Sequence, residues 1–145
     1  MKRLFALLML ASVIAPVLMV TGCATTTKQE LHLAPVSDLP PEMQNAPQNV
    51  REVYQFAVMN PDALKNVPCT CGCGPLGHTN NYDCYIQDAP NNGKIVFDSH
   101  ALGCKICVDI TQDVMKLTRE GRAPPQIQRY IINQYTQFGP SNFPK

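Results

Sequence analysis

Tryptophan is absent from this chain of 145 residues, aromatic residues supply 7 % of it, and charged residues only 16 %. So few large rings leave little to build a core from, which favours cross-links through sulfur. The formal net charge of +1 gives nucleic acid and anionic lipid no strongly basic face to bind. No Ser-His-Asp order, paired carboxylates or phosphate-cradling loop is found, so the chain reads as a binding protein and not as an enzyme. No internal repeat is visible. What the sequence does hold in quantity is cysteine, seven in all.

Six of the seven lie between residues 69 and 107: Cys69, Cys71 and Cys73 in alternation, a solitary Cys84, then Cys104 and Cys107. His78 and His100 fall among them. Soft sulfur donors and imidazoles so close in sequence form a ligand set. An extended or Gly-rich loop through Cys69, Cys71 and Cys73 brings their sulfurs to one side. On a helix beginning near Leu102, Cys104 and Cys107 are i, i+3 neighbours and face together. Three segments then aim thiols at one point inside the domain.

Cys23 stands apart and has a different reading. Lys2 and Arg3 precede the apolar run Leu4–Val20, and Val20-Thr-Gly-Cys23 follows. A positive start, an apolar stretch and small residues before a cleavage point describe a secretory signal. A spanning helix needs about 20 apolar residues, and Pro16 interrupts this shorter run. Residues 1–22 are therefore expected to be a lipoprotein signal peptide, the Val-Thr-Gly-Cys run being similar to a bacterial lipobox. Cleavage before Cys23 and its acylation, with palmitate or a similar chain, would leave an exported protein anchored to the cell membrane. Ala24 in place of aspartate directs it to the outer membrane where the cell has two, by resemblance to lipoprotein sorting. Loss of Lys2 and Arg3 leaves ten Lys and Arg against eleven Asp and Glu. Residues 23–47, rich in Thr, Pro and Gln with no sustained period, read as a flexible tether reaching roughly 25–30 Å. His32, within it, is expected to be exposed and without a role.

A single domain is expected over residues 48–140. Val50, Val53, Tyr54, Ala57 and Val58 form a helical stripe that Asn60-Pro61 stops. Pro61–Leu64 starts a short further turn. Cys84–Gln87 and Lys94–Asp98 are β-prone runs joined across Asn92-Gly93, a hairpin signal. A second helix spans about Leu102 to Glu120, with Ile106, Ile110, Val114 and Leu117 on its apolar side and Gly121 as its stop. A third opens at Pro124-Pro125 and carries Ile127, Tyr130, Ile131 and Tyr135. The fold expected is mostly α with minor β: about three helices and one short β-hairpin around a cysteine-rich centre. Tyr54, Tyr85, Phe97 and Tyr130 read as core aromatics, Met59 and Met115 as core fillers, and Asp83 as a turn former.

The run from Tyr54 to about Tyr135 resembles the PCYCGC-motif proteins, small bacterial lipoproteins. The hexapeptide stands here as Pro68-Cys-Thr-Cys-Gly-Cys73, preceded by Asn60-Pro-Asp-Ala-Leu64 and followed by Gly77-His78, Asp83-Cys84, His100-Ala101, Cys104 and Cys107-Val-Asp-Ile110. Two positions depart from the pattern: Thr70 replaces a tyrosine, and Asn60 stands where a histidine is expected. The resemblance implies an association with metal, copper in particular.

Donor chemistry leads to the same metal independently. Thiolates select Cu(I), Zn(II) or iron–sulfur clusters. Structural zinc prefers two separated Cys-x₂₋₄-Cys knuckles, and iron–sulfur clusters use longer spacers. Haem attachment is excluded because Val108, not histidine, follows Cys104-Lys-Ile-Cys107. Cu(I) takes two or three sulfurs and shares them, so Cu(I) is favoured and Zn(II) comes second. The expected ligands are Cys69, Cys71, Cys73, Cys84, Cys104 and Cys107, with His78 or His100 completing or flanking the cluster. Two other readings stay open. In an exported protein six cysteines can make three disulfides, and Cys104-x-x-Cys107 at a helix start can form a redox-active dithiol.

Overall fold

The computed structural model describes residues 28–90 and 93–143. Among these, six helices and one two-stranded antiparallel hairpin make a mostly helical domain with minor β structure. The frame is α2 (Gln48–Met59), α5 (Lys105–Arg119) and α6 (Pro124–Tyr135), with α5 packed against both of the others. Short helices α1 (Pro41–Gln44), α3 (Pro61–Lys65) and α4 (His100–Gly103) fill the corners. Strands β1 (Ile86–Asp88) and β2 (Val96–Phe97) pair Ile86 with Phe97 and Asp88 with Val96. Asn92 of the expected Asn-Gly turn lies outside the described residues.

Proline and glycine set the helix limits. Pro47 precedes α2, and Pro61 bars residue 60 from helical backbone. The Phe56 carbonyl then accepts from both the Asn60 backbone N–H and the Asn60 side chain, each at 2.9 Å. Helix α5 ends where Gly121 takes φ +70°, which lets Arg122 N donate to Leu117 O and Gly121 N to Thr118 O. Lys116 and Arg119 in its last turn complement the helix dipole.

Burial departs from the apolar stripes at informative places. On α5 the buried line runs through Cys107, Ile110, Thr111, Val114 and Met115, while Ile106 and Leu117 are only partly covered. A cysteine and a threonine thus stand on the inward side of the helix, which an apolar count passes over. Tyr54, Tyr85 and Met115 are core residues and Phe97 is half-buried, whereas Tyr130 and Met59 are exposed at 36 % and 49 %.

The segment read as the distal part of a tether is packed onto the domain. Ala34, Leu39 and Met43 are buried. Ala34 N donates to Gln55 O at 3.1 Å, and Gln55 Nε2 returns a bond to Ala34 O. This pairing covers a second face of α2, so Val53 through Ala57 are buried without a break. Isolated anchors between prolines carry no period, and so they looked like linker. His32 is exposed as expected, and its carbonyl accepts from Asn60 Nδ2 at 2.7 Å. Cys23 and residues 1–22 lie outside the described residues.

Candidate metal centre

Val67 and Pro68 carry the chain from α3 into the buried middle of the molecule. There Gly72 and Gly77 adopt φ of +85° and +89°, a backbone that side-chain-bearing residues rarely take. The loop turns back on itself at these points, so Cys69 and Cys73 are buried and Cys71 is half-buried at its apex. Cys84 comes from the 3₁₀ turn Tyr82–Cys84, and Cys107 from the first turn of α5.

The sulfurs converge. Cys69 Sγ lies 3.3 Å from Cys71 Sγ and 3.4 Å from Cys107 Sγ, and Cys71 and Cys107 are 3.5 Å apart. These three form a nearly equilateral triangle. Cys73 and Cys84 form a second contact at 3.8 Å. No pair is covalently linked; a disulfide would bring two sulfurs to about 2.05 Å. Four sulfurs around one tetrahedral ion stand about 3.8 Å apart when each bond is about 2.3 Å. The Cys73–Cys84 spacing equals that value, and the triangle of Cys69, Cys71 and Cys107 is tighter.

Cys104 does not take the helical backbone expected of it. Its backbone, φ −114° and ψ 97°, is extended, because it caps α5 and does not belong to the helix. Its thiol nonetheless meets those of Cys107 and Cys71. It is half-buried and belongs to none of the residue groups whose donor atoms gather within 4.8 Å of one another. Those groups are Cys69/Cys71/Cys73/Cys84, Cys71/Cys84/His100/Cys107 and Cys73/His78/Cys84/His100. Cys84, completely buried, belongs to all three.

Both histidines join the cluster. His100 Nε2 lies 3.3 Å from Cys71 Sγ, and the His78 ring stands edge-on to it at 5.3 Å between centroids. His78 is 8 % exposed, and its Nε2 meets Asp98 Oδ2 at 3.4 Å. Asn60, where a histidine was expected, bonds backbone carbonyls and takes no part.

A model of the family described as "Protein of unknown function with PCYCGC motif" matches residues 18–144. The chain belongs to the PCYCGC-motif family. Neither the curated proteins nor the solved structures give a match to it.

The centre of this PCYCGC-motif protein is held by a hydrogen-bonded frame. Tyr85 OH donates to Cys107 O at 2.7 Å and lies 2.7 Å from Thr111 Oγ1, which is as far from the Asn81 side-chain oxygen. All of these side chains are buried, so each bond matters more than it would in water. Asp83 accepts from the Thr79 amide and hydroxyl and braces the turn before Cys84.

One part of the frame had no signal in the sequence. The segment after α6 returns across the motif loop. Asn142 Oδ1 accepts from Cys69 N at 2.7 Å, and Asn142 N donates to Cys69 O. The Asn142 amide nitrogen also donates to His78 O and Asn80 O and faces Cys73 Sγ at 3.6 Å. At Gly139 a Cβ would lie 2.5 Å from Thr70 O, so only glycine lets the tail cross this closely. Thr70, where the family's motif has tyrosine, is buried and donates to Tyr135 O at 2.8 Å.

Mutual hydrogen bonding splits the thiols into two kinds. Bonds from Cys107, then Cys73 and Cys84, hold Cys69 far below the usual thiol range. Cys71 is lowered to about 5, chiefly by Cys84 and further by His100, against the opposing effect of burial. Cys73, Cys84 and Cys107 are pushed up, the bond to Cys69 leading for Cys73 and Cys107 and that to Cys107 for Cys84. Burial raises Cys104. Cys69 and Cys71 are thus the thiols that give up a proton most readily.

The sign of the pH dependence follows for the metal-free protein. The lowered thiols stabilise the fold above the ordinary value of about 8.5 and lose that contribution as pH falls through about 5. The raised thiols stabilise it below about 8.5, and the contribution is lost as pH climbs beyond. Metal-free protein should therefore be most stable near pH 8 and weaken on both sides. Urea unfolding under reductant across about pH 4–10 checks this; a profile flat on the alkaline side would contradict the shared-proton arrangement.

Proposed function

We propose that this protein is an exported, membrane-tethered metal-binding protein that holds Cu(I) on cysteine thiolates for storage, delivery or detoxification. The observation that carries the reading is the triangle of Cys69, Cys71 and Cys107, three reduced sulfurs in mutual contact at 3.3–3.5 Å. Soft, low-coordinate Cu(I) suits such a donor set, and Zn(II) is the second choice. The triangle also argues against disulfide staples, because each corner has two sulfur neighbours at nearly equal distance and no pair is singled out. Coordination by several buried donors leaves no open position for a substrate, which supports a binding role over an enzymatic one.

The anchor belongs to the same proposal. Residues 1–22 act as the leader, and acylated Cys23 ties the chain to the membrane, the outer one where there are two. No helix among the described residues is long and apolar enough to cross a bilayer.

The test is to purify the intact chain under reductant with and without added Cu(I), then measure bound metal and count thiols after denaturation. Bound copper with all six cysteines of residues 69–107 recovered as thiols is expected. A metal-free protein whose thiols have paired would end the proposal. Labelling cells with a tagged fatty acid should mark the protein, and Cys23→Ser should abolish the label.

A further inference from the structure

One buried nitrogen in the centre has no partner. His78 Nδ1 makes no hydrogen bond, although the residue is more than nine-tenths buried. An unpaired buried polar atom is costly, so a native protein rarely leaves one without use. Its sister nitrogen is accounted for: Nε2 faces Asp98 Oδ2 at 3.4 Å. With Nε2 turned toward that carboxylate, Nδ1 is the nitrogen left without a partner. A carboxylate behind one imidazole nitrogen is the usual way a protein readies the other to bind a metal.

The same carboxylate fixes the second histidine. Asp98 Oδ1 accepts from the His100 backbone N–H at 2.7 Å. Asp98 is held in turn, its carbonyl accepting from Tyr54 OH and its N–H donating to Tyr85 O. One residue therefore positions both rings, and donor atoms of Cys73, His78, Cys84 and His100 lie within 4.8 Å of one another. Two sulfurs and two nitrogens form the tetrahedral set that suits a borderline divalent ion such as Zn(II).

This set shares no residue with the triangle Cys69/Cys71/Cys107. We infer that the centre holds two chemically distinct metal positions: a three-thiolate position for Cu(I), and a Cys₂His₂ position at Cys73, His78, Cys84 and His100 for a divalent ion. The inference rests on the thiolate reading above and adds a second occupant to it. His100 is the contact between the two, since its Nε2 touches Cys71 Sγ.

Co(II) is the probe, because tetrahedral thiolate coordination gives it intense visible and sulfur-to-metal charge-transfer bands that octahedral Co(II) lacks. The intact chain, reduced and loaded with one equivalent of Cu(I), should bind one Co(II) with the tetrahedral spectrum and retain its copper. His78→Ala should lose the cobalt bands and keep Cu(I). Cys71→Ser should do the reverse. Asp98→Asn keeps the shape and the acceptor for His100 N, but not the acceptor for His78, and should weaken Co(II) by about 10–100-fold with Cu(I) unchanged. It serves as the test if His78→Ala does not fold. If His78→Ala and Cys71→Ser each reduce both metals alike, or Cu(I) expels the cobalt, the centre is one shared cluster. The inference then falls while the copper proposal survives. Failure of the wild-type chain to bind either metal would remove both.

Discussion

Stripping bound metal from the intact protein should lower its melting temperature by roughly 15 °C. At an ion concentration about 1,000 times the dissociation constant, binding stabilises the native state by about 4 kcal/mol. For a domain of this size each kcal/mol moves the midpoint by about 4 °C. The donors come from three stretches of chain that the unfolded state does not hold together, so nearly all of the binding energy appears as folding energy. Differential scanning calorimetry of metal-loaded and chelator-treated protein, both reduced, measures it. A shift of less than about 3 °C would mean that the ions sit at the surface and not among Cys69, Cys84 and Cys107.

A contrast between two cysteines should give the second large effect. Cys84 is completely buried and belongs to all three four-donor groups, while Cys104 is half-buried and belongs to none of them. Cys84→Ser is expected to weaken metal binding by more than about 100-fold, beyond the range for a residue that only supports a ligand. Cys104→Ser should change affinity by less than about threefold. Competition with a coloured chelator reads both. The Cys84 variant also buries a hydroxyl without a sure partner, which costs about 1–3 kcal/mol with or without metal. Comparing chelator-treated wild type and variant separates that cost from lost binding. Equal losses in the two variants would refute the placement of Cys104 at the edge.

What could be read from the chain, and what could not, follows from the range of each signal. Pro61, Gly121 and Pro124 act within a residue or two, and the ends of α2 and α5 and the start of α6 were legible from them; the start of α5 was expected near Leu102 and lies at Lys105. The gathering of Cys69, Cys71, Cys73, Cys84 and Cys107 was legible because alternating and helical spacings constrain where neighbouring sulfurs point. The backbone of Cys104 departs from expectation for a local reason: the i, i+3 rule assumes both residues are helical, and this one is an extended cap. Ala34, Leu39 and Met43 escaped because burial by single anchors leaves no periodic trace. Asp98 and Asn142 are long-range partners of the centre, and nothing nearby in sequence marks them as such.

The fastening of Cys69 by Asn142, 73 residues downstream, imposes an order in time. A polypeptide delivered with its amino end leading offers three sulfurs well before the residue that shuts them in has arrived. We expect an incoming ion to be caught first by a loose trio on unfinished chain and locked only when the tail docks. Departure from the mature protein would then be governed by how often that latch springs open, a local event far cheaper than global unfolding. Ion release should keep pace with hydrogen exchange at the Asn142 amide, and release much faster than that exchange would show the latch to be irrelevant.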